Sequence, residues 1–556
     1  MKVDNTTLLL AMVLIIIFIG CLIGASIYSK YKLRKLIRSK WGKAPLFHWG
    51  ESEKSLKEAW EHARRFHQYD SEVDDLTWYD LDMQAVFEVL NLTYSSVGSE
   101  ALYQRLRNFN FSEEETQKLE ELIEFYEKNP KIREKLQYHF AELGKMEFNQ
   151  AKEYLKSGDR NKLGGFALQV FLGTLPIVGV IIGVLGFGMG FILTFVAFTF
   201  NCFYYMSKKN AIEQQLRSLS YAMRTISAAK DISKIKMPEQ QELKEHLAPL
   251  KKSLLFGVPF REKSPSLELE AIVDYLNIIF MIPFIAYNFV LKELTKHKES
   301  AILLWDTLGR LEVAYAVLNF RMVMGQTCLP QFGKGRIAAK ECYHPLIEDP
   351  VKNPIYWEYN TIVTGSNASG KSTYVKSVAI NCILAQTIHT ALADAFTMEP
   401  GHVLTSMAVK DNLFAGESYF IAEIKSLKRI LNQLEKGKRC YCFIDEILRG
   451  TNTIERIAAS TSIIRWMKHF DSLLLVATHD IELPEILKGE CENIHFEEQV
   501  REGEVVFDYQ LKQGVATTKN ALLLLQTMKY PSEVVEQAKE KAARFEEYGS
   551  WVVSKV

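Results

Sequence analysis

TIVTGSNASGKST, residues 361–373, is the stretch that decides the fold. Thr361 to Thr364 is a short β-branched run that predicts a strand. Gly365 to Ser372 fits the pattern Gly-x-x-x-x-Gly-Lys-Ser, and an apolar helical run starts at Thr373. Strand, glycine loop and helix in that order let backbone N–H groups curl around phosphate oxygens at a helix N-terminus, where the helix field favours anions. Lys371 is expected to reach the β- and γ-phosphates of ATP, and the Ser372 hydroxyl to ligate Mg2+.

Two further strands extend this reading. Cys440 to Ile444 is apolar and ends in Asp445 and Glu446. Behind a phosphate loop, Asp445 is expected to hold Mg2+, and Glu446 to orient or deprotonate the attacking water. Leu473 to Ala477 is a third apolar run and ends at Thr478-His479-Asp480. A parallel sheet gathers its ligands at the carboxyl ends of its strands. That places His479 to sense the γ-phosphate. The expectation is an α/β P-loop ATPase domain, Mg-dependent, at the C-terminal end of the chain.

The rest of the chain differs in character. With 556 residues it exceeds what one hydrophobic core normally serves. Lys plus Arg equals Asp plus Glu, at 67 each, so the chain as a whole has no basic bias that would advertise nucleic-acid binding. The eight cysteines form no CxxC pair, which fits reduced structural thiols in a cytoplasmic bulk. Residues 7–28 carry no charge and are long enough to span a bilayer as a helix. Lys30, Lys32, Arg34, Lys35, Arg38 and Lys40 follow at once, which places that flank in the cytoplasm. Residues 164–207 are a second charge-free stretch, long enough for two spans joined by a turn at the glycines of 185–190. A third apolar run, 275–291, is short and contains Pro283. It is expected to lie within a long core helix rather than cross. Residues 71–163 and 208–330 mix charged and apolar residues at three- and four-residue spacing, which predicts helices.

The order of motifs resembles one family closely. Residues 364–374 look like the P-loop of the MutS family, and Asp445 to Thr453 resembles its Walker B segment with the Arg-Gly-Thr continuation. Residues 477–483 resemble its histidine segment. Residues 418–423 resemble its signature loop, and no LSGGQ signature of an ABC transporter is present. Residues 343–346 look like the entry to the family's ATPase domain, and 514–538 resemble its closing helices. Trp78 to Leu106, with Gly98 and Leu102, is similar to the start of its core and lever. The resemblance implies that Gly365, Ser366, Asn367, Ala368, Ser369, Gly370, Lys371, Ser372 and Thr373 hold the nucleotide. It implies that His495 lines the adenine pocket and that Ser418 reaches across a homodimer to the partner's nucleotide. It also implies catalytic roles for Lys371, Glu446 and His479.

The domain reading follows. Residues 1–29 are a transmembrane anchor, 30–70 a basic linker, and 71–163 the first part of a helical core. Residues 164–207 are a transmembrane hairpin, 208–330 the rest of the core and lever, 331–525 the ATPase domain, and 526–556 a dimerisation tail. The chain is thus expected in the cytoplasmic membrane, multi-pass, with its ATPase domain in the cytoplasm. In the family, a mismatch-reading domain precedes the core and a DNA clamp divides the lever. Only a short linker and the apolar hairpin stand in those places here. Two functions follow. One is a membrane-anchored MutS-like ATPase, related to DNA mismatch repair, that binds DNA with little mismatch preference. The other is an ATP-driven switch acting on a protein or lipid partner at the membrane.

Overall fold

The computed structural model describes all residues except 1–4, 46–50, 66–70, 110–111, 158–163, 258–274, 367–368, 408–418, 502–503, 517–521, 523–524, 527, 550 and 552–556. The chain divides into two compact units. One comprises Met1–Gln68, Phe87–Gln104 and Glu113–Val323; the other comprises Tyr69–Val86, Arg105–Ser112 and Met324–Val556.

The first unit is helical. Its helices include Asn5–Lys40, Glu113–Lys128, Pro130–Leu143, Phe166–Val184, Met189–Ile232 and Ile282–Lys296. Amphipathic spacing builds its core: Leu119, Leu122, Ile123 and Tyr126 fall on one buried stripe of Glu113–Lys128. Tyr315 packs against the rings of Tyr94, Tyr126 and Phe140. Beneath them lies Glu312, fully buried. Its carboxylate accepts from the backbone N–H of Tyr94 at 2.8 Å and of Ser95 at 3.2 Å, and from the hydroxyls of Ser95 and Tyr315. A Cβ at Gly98 would stand 2.2 Å from Glu312 Oε2, so this glycine is what lets the carboxylate in.

Phe166–Val184 and Met189–Ile232 form an antiparallel pair joined at 185–188, where Gly186 takes φ +99°. Their contact is built from small residues. A Cβ at Gly190 would lie 2.3 Å from the Gly183 nitrogen and 2.5 Å from the Gly179 oxygen. Outward they carry Phe171, Ile181, Phe195 and Phe203, each more than half exposed. Among the described residues, Phe166–Val184 and Met189–Asn210 are long and apolar enough to cross a membrane. The second helix does not stop at residue 207; it runs on to Ile232 with a kink at Ile212.

The run 275–291 is not one long helix, contrary to the sequence expectation. It breaks at Met281, whose φ is +52°, and a new helix starts at Ile282. Pro283 explains the break: it lacks an N–H and suits the first turn of a helix better than its interior. The break sits on the hairpin. Asn201 Nδ2 donates to the oxygens of Leu172 and Ile279, both at 2.8 Å, and Phe284 packs on Tyr205.

The second unit is α/β. A four-stranded sheet has the order β1-β5-β2-β3: Gln331–Phe332 (β1), Ile337–Cys342 (β2), Asn353–Trp357 (β3) and Ala395–Met398 (β5). A six-stranded sheet has the order β12-β9-β4-β8-β7-β6: Thr361–Thr364 (β4), His402–Ser406 (β6), Cys440–Asp445 (β7), Ser472–Ala477 (β8), Glu492–His495 (β9) and Lys512–Gln513 (β12). Within it every pairing is parallel except β12 with β9. Glu498–Arg501 (β10) and Glu504–Phe507 (β11) form a separate hairpin. Helix Lys371–Ile388 packs on β2 and on β6, β7 and β8, which explains why almost all of its residues are buried.

This unit also takes in 71–86 and 105–112, stretches that the sequence reading assigns to the helical core. Helix Asp75–Asp80 lies along β6. Asp80 accepts from the Thr405 hydroxyl at 2.7 Å and from the Met407 N–H at 3.0 Å. An edge strand that would otherwise present open hydrogen-bonding groups is thereby covered.

Candidate functional site

The parallel order puts the ends of β4, β7 and β8 side by side. Asp445 pairs with Ala477, and Thr364 with His495. The loop after β4 turns at Gly365, φ +139°, and at Gly370, φ +100°. A Cβ at Gly365 would meet the Phe496 oxygen at 2.4 Å, so both the turn and the close approach require glycine. Ser369 Oγ donates to the Ser366 oxygen at 2.8 Å, and Ser366 Oγ donates to Glu498 at 3.0 Å. Asn367 and Ala368 lie outside the described residues.

Lys371 opens the helix and is nearly buried. Its Nζ donates to the oxygens of Gly365, at 2.5 Å, and Ser366, at 2.6 Å. Burial lowers its pKa, while the charges of Asp445, Glu446 and Glu498 oppose that shift. The Ser372 hydroxyl hydrogen-bonds to Asp445. Burial raises the Asp445 pKa, and the Ser372 bond works against it. A hydroxyl and one carboxylate at the mouth of a glycine loop are the hard oxygen donors that suit Mg2+ held mainly by phosphate and water. That donor set needs no larger cluster of ligands, and none of three or more His, Cys, Asp or Glu exists among the described residues. Thr373 lies in the first turn, where its carbonyl accepts from Ser377 Oγ at 2.7 Å.

Glu446 is held in the left-handed region, φ +61°, and Leu448 two residues on has φ +56°. Such backbone in non-glycine residues is uncommon and concentrates at functional sites. The Glu446 carboxylate meets His479 Nδ1 at 2.8 Å and Arg449 Nε at 2.9 Å. The hydrogen bond to His479 holds the Glu446 pKa below its usual value despite partial burial. The same bond raises the pKa of His479. The loop after Glu446 is pinned from helix Tyr419–Leu434, where the buried Glu423 accepts from the Arg449 N–H at 2.9 Å.

His495 ends β9 beside Thr364, buried, with Nδ1 3.1 Å from the Gly514 oxygen. Ser418 lies outside the described residues. Lys371, Ser372, Asp445, Glu446 and His479 are therefore gathered at one end of the sheet, and His495 sits at the neighbouring strand end. Motif reading missed Glu498, Arg456 and Tyr509, whose ring lies 3.0 Å from where a Gly370 Cβ would be. None of these has a local sequence signal, because each reaches the site from a separate element.

Comparison with known proteins covers the same region of the chain. Residues 361–546 match the family model MutS domain V. The chain is 28% identical to human MutS protein homolog 4 over 48% of this chain and 30% of that protein. It is 26% identical to the DNA mismatch repair protein MutS of Thermotoga petrophila over 45% of this chain and 32% of that one. It is 28% identical to the DNA mismatch repair protein MutS of Bacillus pumilus over 38% of this chain and 26% of that one. The matched stretch spans a third or less of these relatives' own length.

Proposed function

The chain belongs to the MutS family through its domain V, and from that premise we propose that it binds and hydrolyses Mg-ATP as a homodimer tethered to a membrane. The observation that carries the ATPase is the gathering of Lys371, Ser372, Asp445, Glu446 and His479 at the carboxyl ends of adjacent parallel strands. In this reading Lys371 and the loop N–H groups bind the phosphates. Ser372 and Asp445 hold Mg2+. Glu446 takes the proton of the attacking water, and His479 fixes the Glu446 carboxylate. His495 borders the adenine, and Ser418 completes the partner's site. Turnover then requires two chains. Ser418→Ala is expected to abolish hydrolysis and leave ATP binding intact. Mixing it with Lys371→Ala chains should restore about one working site per dimer; full activity in a strictly monomeric preparation would overturn this.

The tether is supported by the hairpin 166–207. A soluble core hairpin would hide Phe171, Phe195 and Phe203, whereas these faces are open and apolar. Close glycine contact between the two helices is how spans pack where water is absent. A hairpin returns the chain to the side it left, and the basic residues of 30–40 favour the cytoplasmic side, so this reading assigns the ATPase unit to the cytoplasm. Two partner classes follow. The relatives named above include DNA mismatch repair proteins, which favours duplex DNA. The hairpin, within the helical unit, favours a protein or lipid partner at the membrane. Duplex binding by the detergent-solubilised full chain separates them. A steep loss of affinity with salt supports DNA, and binding at matched and mismatched duplexes should then agree to within about tenfold. No binding at low salt supports the membrane switch.

A further inference from the structure

Arg456 and Asp480 form a fork: Nε and Nη2 of the guanidinium lie 2.9 and 2.5 Å from the two oxygens of the carboxylate. Both side chains are nearly buried, at 13% and 9% exposure. Asp480 is tied down a second time, because its N–H donates to Thr478 Oγ1 at 3.0 Å. The pair bridges two strand ends. Arg456 belongs to helix Thr453–Met467, which follows the Glu446 loop, and Asp480 follows β8. The His479 ring therefore stands between two carboxylates. Its Nδ1 is 2.8 Å from Glu446, and its Nε2 is 4.0 Å from Asp480.

We infer that Asp480, fixed in place by the Arg456 fork, is a positioning residue that keeps the His479 imidazole turned toward Glu446. An imidazole with one partner can rotate about its side-chain bonds, and the ring is two-fifths exposed. A carboxylate on the Nε2 side favours the orientation that leaves Nδ1 on Glu446. The carboxylate must itself be held. A loose Asp480 would take His479 as its own ion-pair partner and draw the ring away. The bidentate guanidinium prevents that and fixes direction as well as distance. Charge around the ring is otherwise balanced by Arg449 and Lys371, which both face Glu446.

The inference rests on the proposed hydrolysis, so the experiment reads turnover and ring orientation separately. Detergent-solubilised full chain is assayed for Mg-ATP hydrolysis as the parent, D480N, R456Q, H479A, H479A/D480N and the charge swap R456D/D480R. Misplacing a reacting group by about 1 Å can cost on the order of 10²-fold; D480N and R456Q are each expected to lower kcat roughly tenfold, with KM for ATP unchanged. In the H479A background D480N should add no further loss. The swap should recover the melting temperature but not kcat, because a cation would then face the imidazole. Recovery of kcat together with melting, or an undiminished D480N effect in H479A, would reduce the pair to a structural brace and overturn the inference. A parent that does not hydrolyse ATP would instead defeat the ATPase reading. The 15N resonances of His479, which report hydrogen bonding at Nδ1, still test the positioning in that case: they should move in D480N, and unmoved resonances would overturn it.

Discussion

Two glutamates, one in each compact unit, receive opposite treatment from their surroundings. Glu312 is sealed in the helical unit and accepts four hydrogen bonds, two of them from backbone N–H groups. Burial pushes its pKa up. Glu446 stands at a strand end, held by two side chains, and its pKa is pushed down by His479. Two donors of Glu312 are part of the backbone path and cannot leave without unfolding, and the other two are hydroxyls of the buried Ser95 and Tyr315. The partners of Glu446 are an imidazole and a guanidinium on loops, which can change hands during a reaction. A satisfied buried carboxylate specifies a fold; a carboxylate with movable partners is available for chemistry.

The largest effect that separates the two belongs to Glu446. Glu446→Gln keeps shape and removes the group that accepts the proton, so kcat should fall by about 10²–10⁴-fold. ATP affinity and melting temperature should change little. Steady-state hydrolysis beside an ATP titration checks this, and parental turnover would remove Glu446 from its role. Glu312→Ala should do the reverse. It strands the N–H groups of Tyr94 and Ser95 in the core, at about 1–3 kcal/mol for each unsatisfied group. Chemical unfolding of the solubilised chain should register a loss of several kcal/mol. A loss below about 1 kcal/mol would show that water reaches these groups.

Gly98→Ala probes the same carboxylate more gently. The new methyl would lie 2.2 Å from Glu312 Oε2 and 2.6 Å from its Cβ. Glu312 is held at both oxygens and cannot swing aside, so the expected cost is that of overpacking, about 1–3 kcal/mol. Combining Gly98→Ala with Glu312→Ala should cost less than the sum of the two, because the clash disappears with the side chain. Strict additivity would mean that the glycine serves some other contact.

The same contrast explains what the sequence could say in advance. Strands β4, β7 and β8 are short and largely buried on both faces, as central strands of a parallel sheet are; β7 ends in Asp445, and β4 and β8 lead into the loops that carry Lys371 and His479. Period and composition are local, so these elements were legible, as was the hairpin turn at 185–188. The rest depends on contacts between distant residues. Helix Asp75–Asp80 bonds to Thr405 and Met407 more than 300 positions away, and no periodicity announces that. Gly98 was legible only as a matching position, because its reason is Glu312. Pro283 in the sequence is compatible with a weakened helix or with a helix start, and the left-handed Met281 decides for the start. Arg456 looked like an ordinary helix residue until β8 brought Asp480 beside it.

The smallest effect concerns pH and a third glutamate. Glu100 is almost wholly buried in the helical unit, with Asn149 Nδ2 donating to it at 3.1 Å. Burial raises its pKa well above 4.5, and the nearby charge of Glu51 pushes the same way. A carboxyl whose folded value is raised binds its proton more tightly in the folded chain than in the unfolded one. Its contribution to stability is therefore fully present below about pH 4.5 and is lost as the pH climbs through the folded value. Glu446, with its value lowered, has the opposite sign: its contribution is present above the usual carboxylate range and is lost on acidification. Glu100→Gln keeps the shape and the Asn149 contact but removes the titration. The variant should be more stable than the parent at pH 7.5 by on the order of 1 kcal/mol. The gap should close toward pH 4.5, where the parent's Glu100 is protonated and resembles the amide. Glu51 and Glu312 also have raised values, so the variant should keep part of the parent's slope. Unfolding midpoints at several pH values measure this directly. Equal slopes in the two proteins would mean that Glu100 keeps its charge in the core, compensated by Lys152, the cation that opposes its shift.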